Sequence, residues 1–411
     1  MSYYLYILSH LASIVAFRCA TIVTIWAFVQ STAGAESVGI LVASMWIANI
    51  LFLPASGYLL DKYPKKTIIL VSSIFSVIAS ITLLKAYDTL IACIVTISFL
   101  AVFNSAISSA PNAIIPRLVS KERLTKAIGI SSTLNSLQVI IGVVIGGGVI
   151  YAIGVHSSLV VTAVLYATSL VLFLFVQIPS TGPVKSSEDQ GALRMIAGFR
   201  SLKILKPEVM FCCSAMVGNF VLTPLISIIV PIYVQQALGN NIEYVVLFES
   251  AIAVGMIVGG MTSVKISSWM DRYHQVLLGG VFIGIGVICF AWAELIYFKA
   301  FALFISGLGL TMKGIPFSSL RGHAVPHDYK ARIESAIFSL CILTIPIGSF
   351  VFSYAIDLDI ISIDALVMFM GVLIILSLSF ITQSRESVRV LRTTDNELEH
   401  YYTTHYPEAF K

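Results

Sequence analysis

The sequence predicts an all-α integral membrane protein: twelve transmembrane helices in two pseudo-symmetric six-helix bundles. Three observations predict it. Of 411 residues, 58% are hydrophobic and 11% charged, with mean hydropathy +0.94, whereas a soluble domain carries about 25% charged residues. Lys and Arg gather in alternate loops. A short motif recurs at the same place in each half. The first observation alone excludes a soluble enzyme, a disordered chain and a nucleic-acid binder, because too little charge remains to cover a water-exposed surface.

Apolar runs separated by breakers place spans at about 4–30, 37–60, 67–86, 89–115, 125–153, 157–178, 208–236, 244–268, 275–294, 298–319, 332–356 and 360–382. Each is close to the roughly 20 residues that cross a bilayer as a helix. The runs are continuous rather than alternating, which excludes a β-barrel. The first run opens at Tyr3 without a basic leader and contains Arg18, so it reads as a span and not as a signal peptide. Pro224, Pro231, Pro316 and Pro346 are expected to kink spans seven, ten and eleven. Glycines in 142–148 and 255–260 are expected to let spans five and eight pack closely. All six cysteines lie inside apolar runs without metal-ligand spacing and read as small core side chains.

Basic residues orient the chain. All but four of the 25 Lys and Arg fall on one side if the N-terminus is cytoplasmic, the exceptions being Lys85 and Lys299 outside and Arg18 and Lys313 within spans. This is a positive-inside pattern with both termini in the cytoplasm. The polar stretch 179–207 reads as a cytoplasmic linker between an N-terminal bundle, 1–178, and a C-terminal bundle, 208–382. A cytoplasmic tail, 383–411, begins basic, ends acidic and tyrosine-rich, and reads as solvated.

The halves echo each other: Asp61-Lys62-Tyr63 follows span two and Asp271-Arg272-Tyr273 follows span eight. Parallel six-span repeats are a transporter architecture. Gly57, Asp61, Lys62, Lys65 and Lys66 resemble the signature loop of the major facilitator superfamily, with Pro64 where glycine is usual. Ile115-Pro116-Arg117-Leu118-Val119, Lys126-Ala127, Gly142 and Gly146-Gly147 are similar to its macrolide-efflux and siderophore-export branch, with Val143 in place of the usual proline. The resemblance covers 1–382. It implies the major facilitator fold, residence in a bacterial cytoplasmic (inner) membrane, antiport and a monomer. It also implies a gate at the cytoplasmic face, served by Gly57, Asp61, Lys62, Lys65 and Lys66 and echoed by Asp271 and Arg272.

Charges inside spans are costly and mark function by default. Arg18 in span one and Lys313 in span ten lie at similar depth in opposite repeats. In the resembled fold both spans line a central cavity, where two cations would attract an anion. The alternatives are a helix lock for Arg18 and a snorkelling side chain for Lys313. Glu249 in span eight is a candidate for proton coupling, because burial favours the protonated carboxyl; its alternative is a structural partner. Asn104, Ser108 and Asn112 on span four, Ser131, Asn135 and Gln138 on span five, and Asn219, Thr223 and Ser227 on span seven form polar stripes. They suit a solute path or helix-to-helix hydrogen bonds. Asn104, Asn135 and Asn219 join Arg18 and Lys313 as the candidate substrate-binding set.

The expected function is proton-coupled export of a small anionic metabolite, such as a carboxylate siderophore, by alternating access. A multidrug or macrolide exporter, or a siderophore or nutrient importer, is the alternative. No catalytic set, metal site or P-loop is recognisable. No cofactor is expected beyond the proton gradient, and no nucleic-acid partner.

Overall fold

The computed structural model describes residues 2–31, 34–178, 198–359, 361–399 and 401–410. Helices account for nearly all of them, and no strand occurs among the described residues. The membrane helices are α1 (Ser2–Gln30), α2 (Gly34–Lys62), α3 (Lys65–Ala86), α4 (Leu90–Leu118), α5 (121–153), α6 (155–174), α7 (Lys206–Ala237), α8 (Ile242–Ile266), α9 (Arg272–Trp292), α10 (Ile296–Ala324), α11 (His327–Asp357) and α12 (Ile363–Thr382). Eleven continuous helical stretches among the described residues are long and apolar enough to cross a membrane. The twelfth span appears because the run Lys121–Leu174 is broken at Gly154, whose φ of 77° and ψ of 174° are non-helical. A side chain is strained in that conformation, and glycine is not. The break falls where the sequence places it.

The two prolines of α7 leave a mark between them. Residues Leu225–Ile229 form a π-helical turn, bracketed by Pro224 and Pro231. Proline removes an amide donor from the ladder, and a widened turn is one way to absorb the loss.

By packing, the chain falls into two compact units, 1–191 with 227–246 and 192–226 with 247–411. The boundary differs from the expected 1–178 and 208–382 because the second part of α7 and the start of α8 associate with the first unit. Gly147, for instance, lies against Val246 and Ile242.

In the first unit α1 is the most enclosed helix. Ser9 Oγ donates to Ser169 O, and Ser169 Oγ donates to Ser9 O, both at 2.8 Å, clasping α1 to α6. On α5, Gly142 and Gly146 sit directly against Arg18 and Cys19 of α1. Phe75 of α3 stacks on Phe103 of α4 at 4.9 Å.

The second unit repeats the scheme. Gly348 of α11 touches the backbone of Phe220 on α7, as Gly142 of α5 touches α1, so each unit pairs its first helix with its fifth. Asn219 Nδ2 donates to Cys341 O at 3.0 Å and Thr344 Oγ1 to Met216 O at 2.8 Å across the same contact. Gly255 and Gly259 of α8 lie on α10, where a Cβ at Gly255 would stand 2.1 Å from Phe304 O. The expected pairing of spans five and eight through these two glycine runs is thus corrected. Gly142 and Gly146 meet α1, Gly255 and Gly259 meet α10, and Gly147 alone among the described glycines of the two runs lies against α8. In a bilayer such backbone approach is the main source of helix association.

The tail departs furthest from its expected solvated state. It folds as α13 (Arg385–Arg392), α14 (Asp395–Leu398), α15 (Tyr401–His405) and a 3-10 turn, Pro407–Phe410. Val390, Leu391, Leu398, Tyr402 and Ala409 are buried against the ends of α9, α10 and α11. Their spacing was masked in sequence by the intervening charges, which all point outward or pair. Arg272 donates to Thr393 O at 2.9 Å and pairs with Asp395, while Tyr329 Oη donates to Phe410 O at 2.8 Å. Tyr402 Oη donates to Glu208 Oε1 at 2.8 Å, and Glu208, fully buried, also meets Arg321 at 3.4 Å. Arg321 in turn holds Glu334 at 2.8 Å. Burial, with Glu208 beside it, raises the Tyr402 phenol well above its ordinary range, so it stays a donor at any physiological pH.

Removing that donor strands a buried carboxylate oxygen. Tyr402→Phe is expected to lower stability by about 2 kcal/mol, read as a drop in thermal unfolding temperature of the detergent-purified protein. An unchanged midpoint would show that the tail contact is not part of the folded unit.

Candidate functional site

Arg18 occupies the middle of α1, a helix whose other neighbours at that depth are apolar or small. Its stem lies over Gly142: a Cβ there would stand 2.4 Å from Arg18 Cγ. The glycine therefore makes room for an arginine stem inside a helix contact. Arg18 remains partly exposed.

Lys313 is placed differently. It is 8% exposed, and its ammonium donates to Ser214 Oγ on α7 at 2.8 Å; that hydroxyl lies 3.2 Å from Ser377 Oγ on α12. Its backbone rests on Gly279 of α9. The side chain runs into the interior of the second unit rather than snorkelling. Among the described residues it makes no ion pair. The two cations that look equivalent in sequence thus occupy unlike surroundings.

Glu249 is also buried, 6% exposed, in the first half of α8. Asn104 of α4 is 7% exposed. Its Nδ2 donates to Ser108 Oγ at 3.4 Å, and its Oδ1 is buried without a hydrogen-bond partner among the described residues. Leaving a buried acceptor open costs about 1–3 kcal/mol, which marks this carboxamide as a place for a donor from a solute or a water. Ser105 Oγ beside it is likewise open. Asn219, by contrast, is taken up by the α7–α11 contact. Asn135 lies on α5, and its side chain, with those of Asn112 and Gln138, falls outside the described residues. Ser131 is buried.

The loop motif divides in the same manner. Gly57 and Asp61 belong to α2, at positions outside the described side chains. Lys65 Nζ donates to Leu60 O at 2.9 Å and Lys66 Nζ to Leu174 O at 3.5 Å, so both cations meet open carbonyls at helix C-termini. Lys62 lies over the Tyr63 ring at 5.9 Å. In the second half Asp271 caps α9, accepting from His274 N at 2.9 Å. Arg272 is committed to the tail, and Tyr273 carries Arg392 over its ring at 4.7 Å. The Asp-basic-Tyr echo therefore includes a cation on each tyrosine.

Sequence reasoning missed the group Glu208, Arg321, Glu334 and Tyr402. In the sequence Arg321 is one of the many Lys and Arg that fall on the cytoplasmic side. Nothing in the sequence says which helix ends meet, so the buried pairing had no signal beyond a glutamate in the first turn of a span.

A family model described as Major Facilitator Superfamily matches residues 6–341. Macrolide efflux protein A of Enterococcus faecalis is 24% identical over 310 residues, 72% of this chain and 94% of the relative. Lysophospholipid transporter LplT of Photorhabdus laumondii is 23% identical over 279 residues, 67% of this chain and 68% of the relative. Among solved structures, the D-xylose-proton symporter superposes with a TM-score of 0.73 at 10% identity, covering 93% of this chain and 98% of that one. The nucleoside transporter NupG gives 0.68 at 16%, covering 92% and 97%.

Lys313 yields a direct test. Replacing a buried cation that lacks a countercharge by an apolar side chain of similar length relieves its desolvation. Lys313→Met is expected to hold or raise the thermal unfolding midpoint. A large fall would mean that the ammonium is a structural tie.

Proposed function

Because the chain belongs to the Major Facilitator Superfamily, and is therefore a multi-pass membrane transporter rather than an enzyme, we propose that it is a secondary active exporter of a small amphiphilic anion, coupled to protons and working by alternating access. One observation carries the anionic part: a partly exposed Arg18 guanidinium in the middle of α1, in the same unit as the open acceptor Asn104 Oδ1. A carboxylate meets the guanidinium fork, and a hydroxyl or amide N–H meets the carboxamide oxygen. A carboxylate siderophore carries both groups. Glu249, a buried carboxyl in a span, is the proton-coupling residue of this reading. Outward transport is supported by the relatives named for macrolide efflux, and an amphiphilic substrate by the relative named for lysophospholipid. The chain works as a monomer in a bacterial cytoplasmic membrane with both termini inside, as its basic loops argue.

A second reading, a macrolide or multidrug exporter, is favoured by the engagement of Lys313 with Ser214. With that ammonium donating to a hydroxyl of the protein, a neutral or cationic amphiphile becomes compatible with the polar stripes.

Proteoliposomes with an imposed proton gradient separate the readings. Labelled polycarboxylate siderophore, lysophospholipid and macrolide are followed in both directions. Arg18→Ala is expected to slow the anionic substrates by about tenfold or more, the loss of one charge-assisted contact. Glu249→Gln is expected to abolish the gradient dependence. Macrolide movement indifferent to Arg18→Ala, with no anion movement, would overturn the anion reading in favour of the second.

A further inference from the structure

We infer a binding site for the phosphate of an anionic phospholipid headgroup, in the cleft between the entry to α7 and the first turn of α13. The cleft holds about 350 Å³. Lys203 and Lys206 approach from the α7 side, and Ser384, Arg385 and Glu386 from the tail. Val209 and Met210 of the first turns of α7 make its apolar floor. The site exists because the tail docks; a solvated tail would leave two lysines on an open helix end.

Charge and commitment define the ligand. Three cations face one carboxylate, and that carboxylate is already engaged: Lys206 lies 3.5 Å from Glu386 Oε1, and Tyr406 Oη donates to Glu386 Oε2 at 2.7 Å. The hydrogen bond to Glu386 comes second to burial in raising the Tyr406 phenol, so it stays protonated and donating. Lys203 and Arg385 are exposed and make no ion pair among the described residues. A phosphodiester satisfies both, with the guanidinium taking two oxygens and the ammonium acting as a point charge. Free phosphate shares that chemistry. The apolar floor does not serve it, whereas a glycerol backbone and the first methylenes of an acyl chain lie naturally over Val209 and Met210, where α7 enters the bilayer. Basic pockets of this kind at a membrane face hold anionic lipid headgroups. The inference rests on the reading that the chain spans a bilayer, and it is independent of substrate and direction.

The test uses the full chain in detergent and native mass spectrometry, with phosphatidylglycerol, phosphatidylcholine and inorganic phosphate as probes. Phosphatidylglycerol is expected to bind selectively, and Lys203→Gln with Arg385→Gln together to weaken it by about tenfold to thirtyfold. Glu386→Gln, which keeps an acceptor for Tyr406 and removes the opposing charge, is expected to strengthen it. Lys265→Gln, an exposed cation elsewhere, leaves it unchanged. Equal binding of the two lipids, or a double variant that binds as wild type, overturns the site. Displacement of phosphatidylglycerol by equimolar inorganic phosphate overturns the lipid source. Lipid binding intact alongside inactive proteoliposomes would count against the exporter reading alone.

Discussion

Backbone-to-backbone approach at glycine is the contact on which the rest of the structure depends. In a bilayer the lipid tails are as apolar as any leucine, so helices gain nothing from merely hiding hydrophobic surface and associate through van der Waals packing and interhelical hydrogen bonds. Gly142 under Arg18, Gly255 against Phe304 and Gly348 against Phe220 are instances at three different helix pairs. At the last of these the Asn219 and Thr344 bonds cross the same α7–α11 contact, and the Ser9–Ser169 clasp adds interhelical hydrogen bonds between α1 and α6.

The same contacts explain how polar groups are divided between holding helices together and remaining open. Asn219 and Lys313 are satisfied by neighbouring helices within the second unit. Asn104 keeps one acceptor unmet in the first, and Arg18 keeps partial exposure over its glycine. A transporter must keep some intramembrane polarity uncommitted, and in the first unit Asn104 Oδ1 and Ser105 Oγ are open among the described residues.

Much of the fold was legible in the sequence, for a reason particular to membranes: unsatisfied backbone is intolerable in hydrocarbon, so spans announce themselves as long apolar runs. Even the break at Gly154 was readable. Partnership was not. Gly255 and Gly259 advertise close approach without saying to what: their neighbours are Phe304, Leu308 and Thr311 of α10, and nothing in the spacing of the glycines names that helix. Arg18 and Lys313 are indistinguishable by depth and charge in the sequence; burial and the position of Ser214 on another helix separate them. The tail misled because Arg385, Arg389 and Arg392 hide a short apolar face at Val390 and Leu391, and that face has meaning only once the ends of α9 to α11 are assembled beneath it.

The Tyr402–Glu208 bond has a consequence for biogenesis. Its partners are 194 residues apart, so during synthesis Glu208 enters the membrane region long before its phenol is made. Arg321 emerges in between and must hold the carboxylate alone until the tail folds back. The buried pairing at the start of α7 is therefore complete only once the carboxyl-terminal segment has been made, and a chain ending before Tyr402 would carry Glu208 with one oxygen lacking that donor.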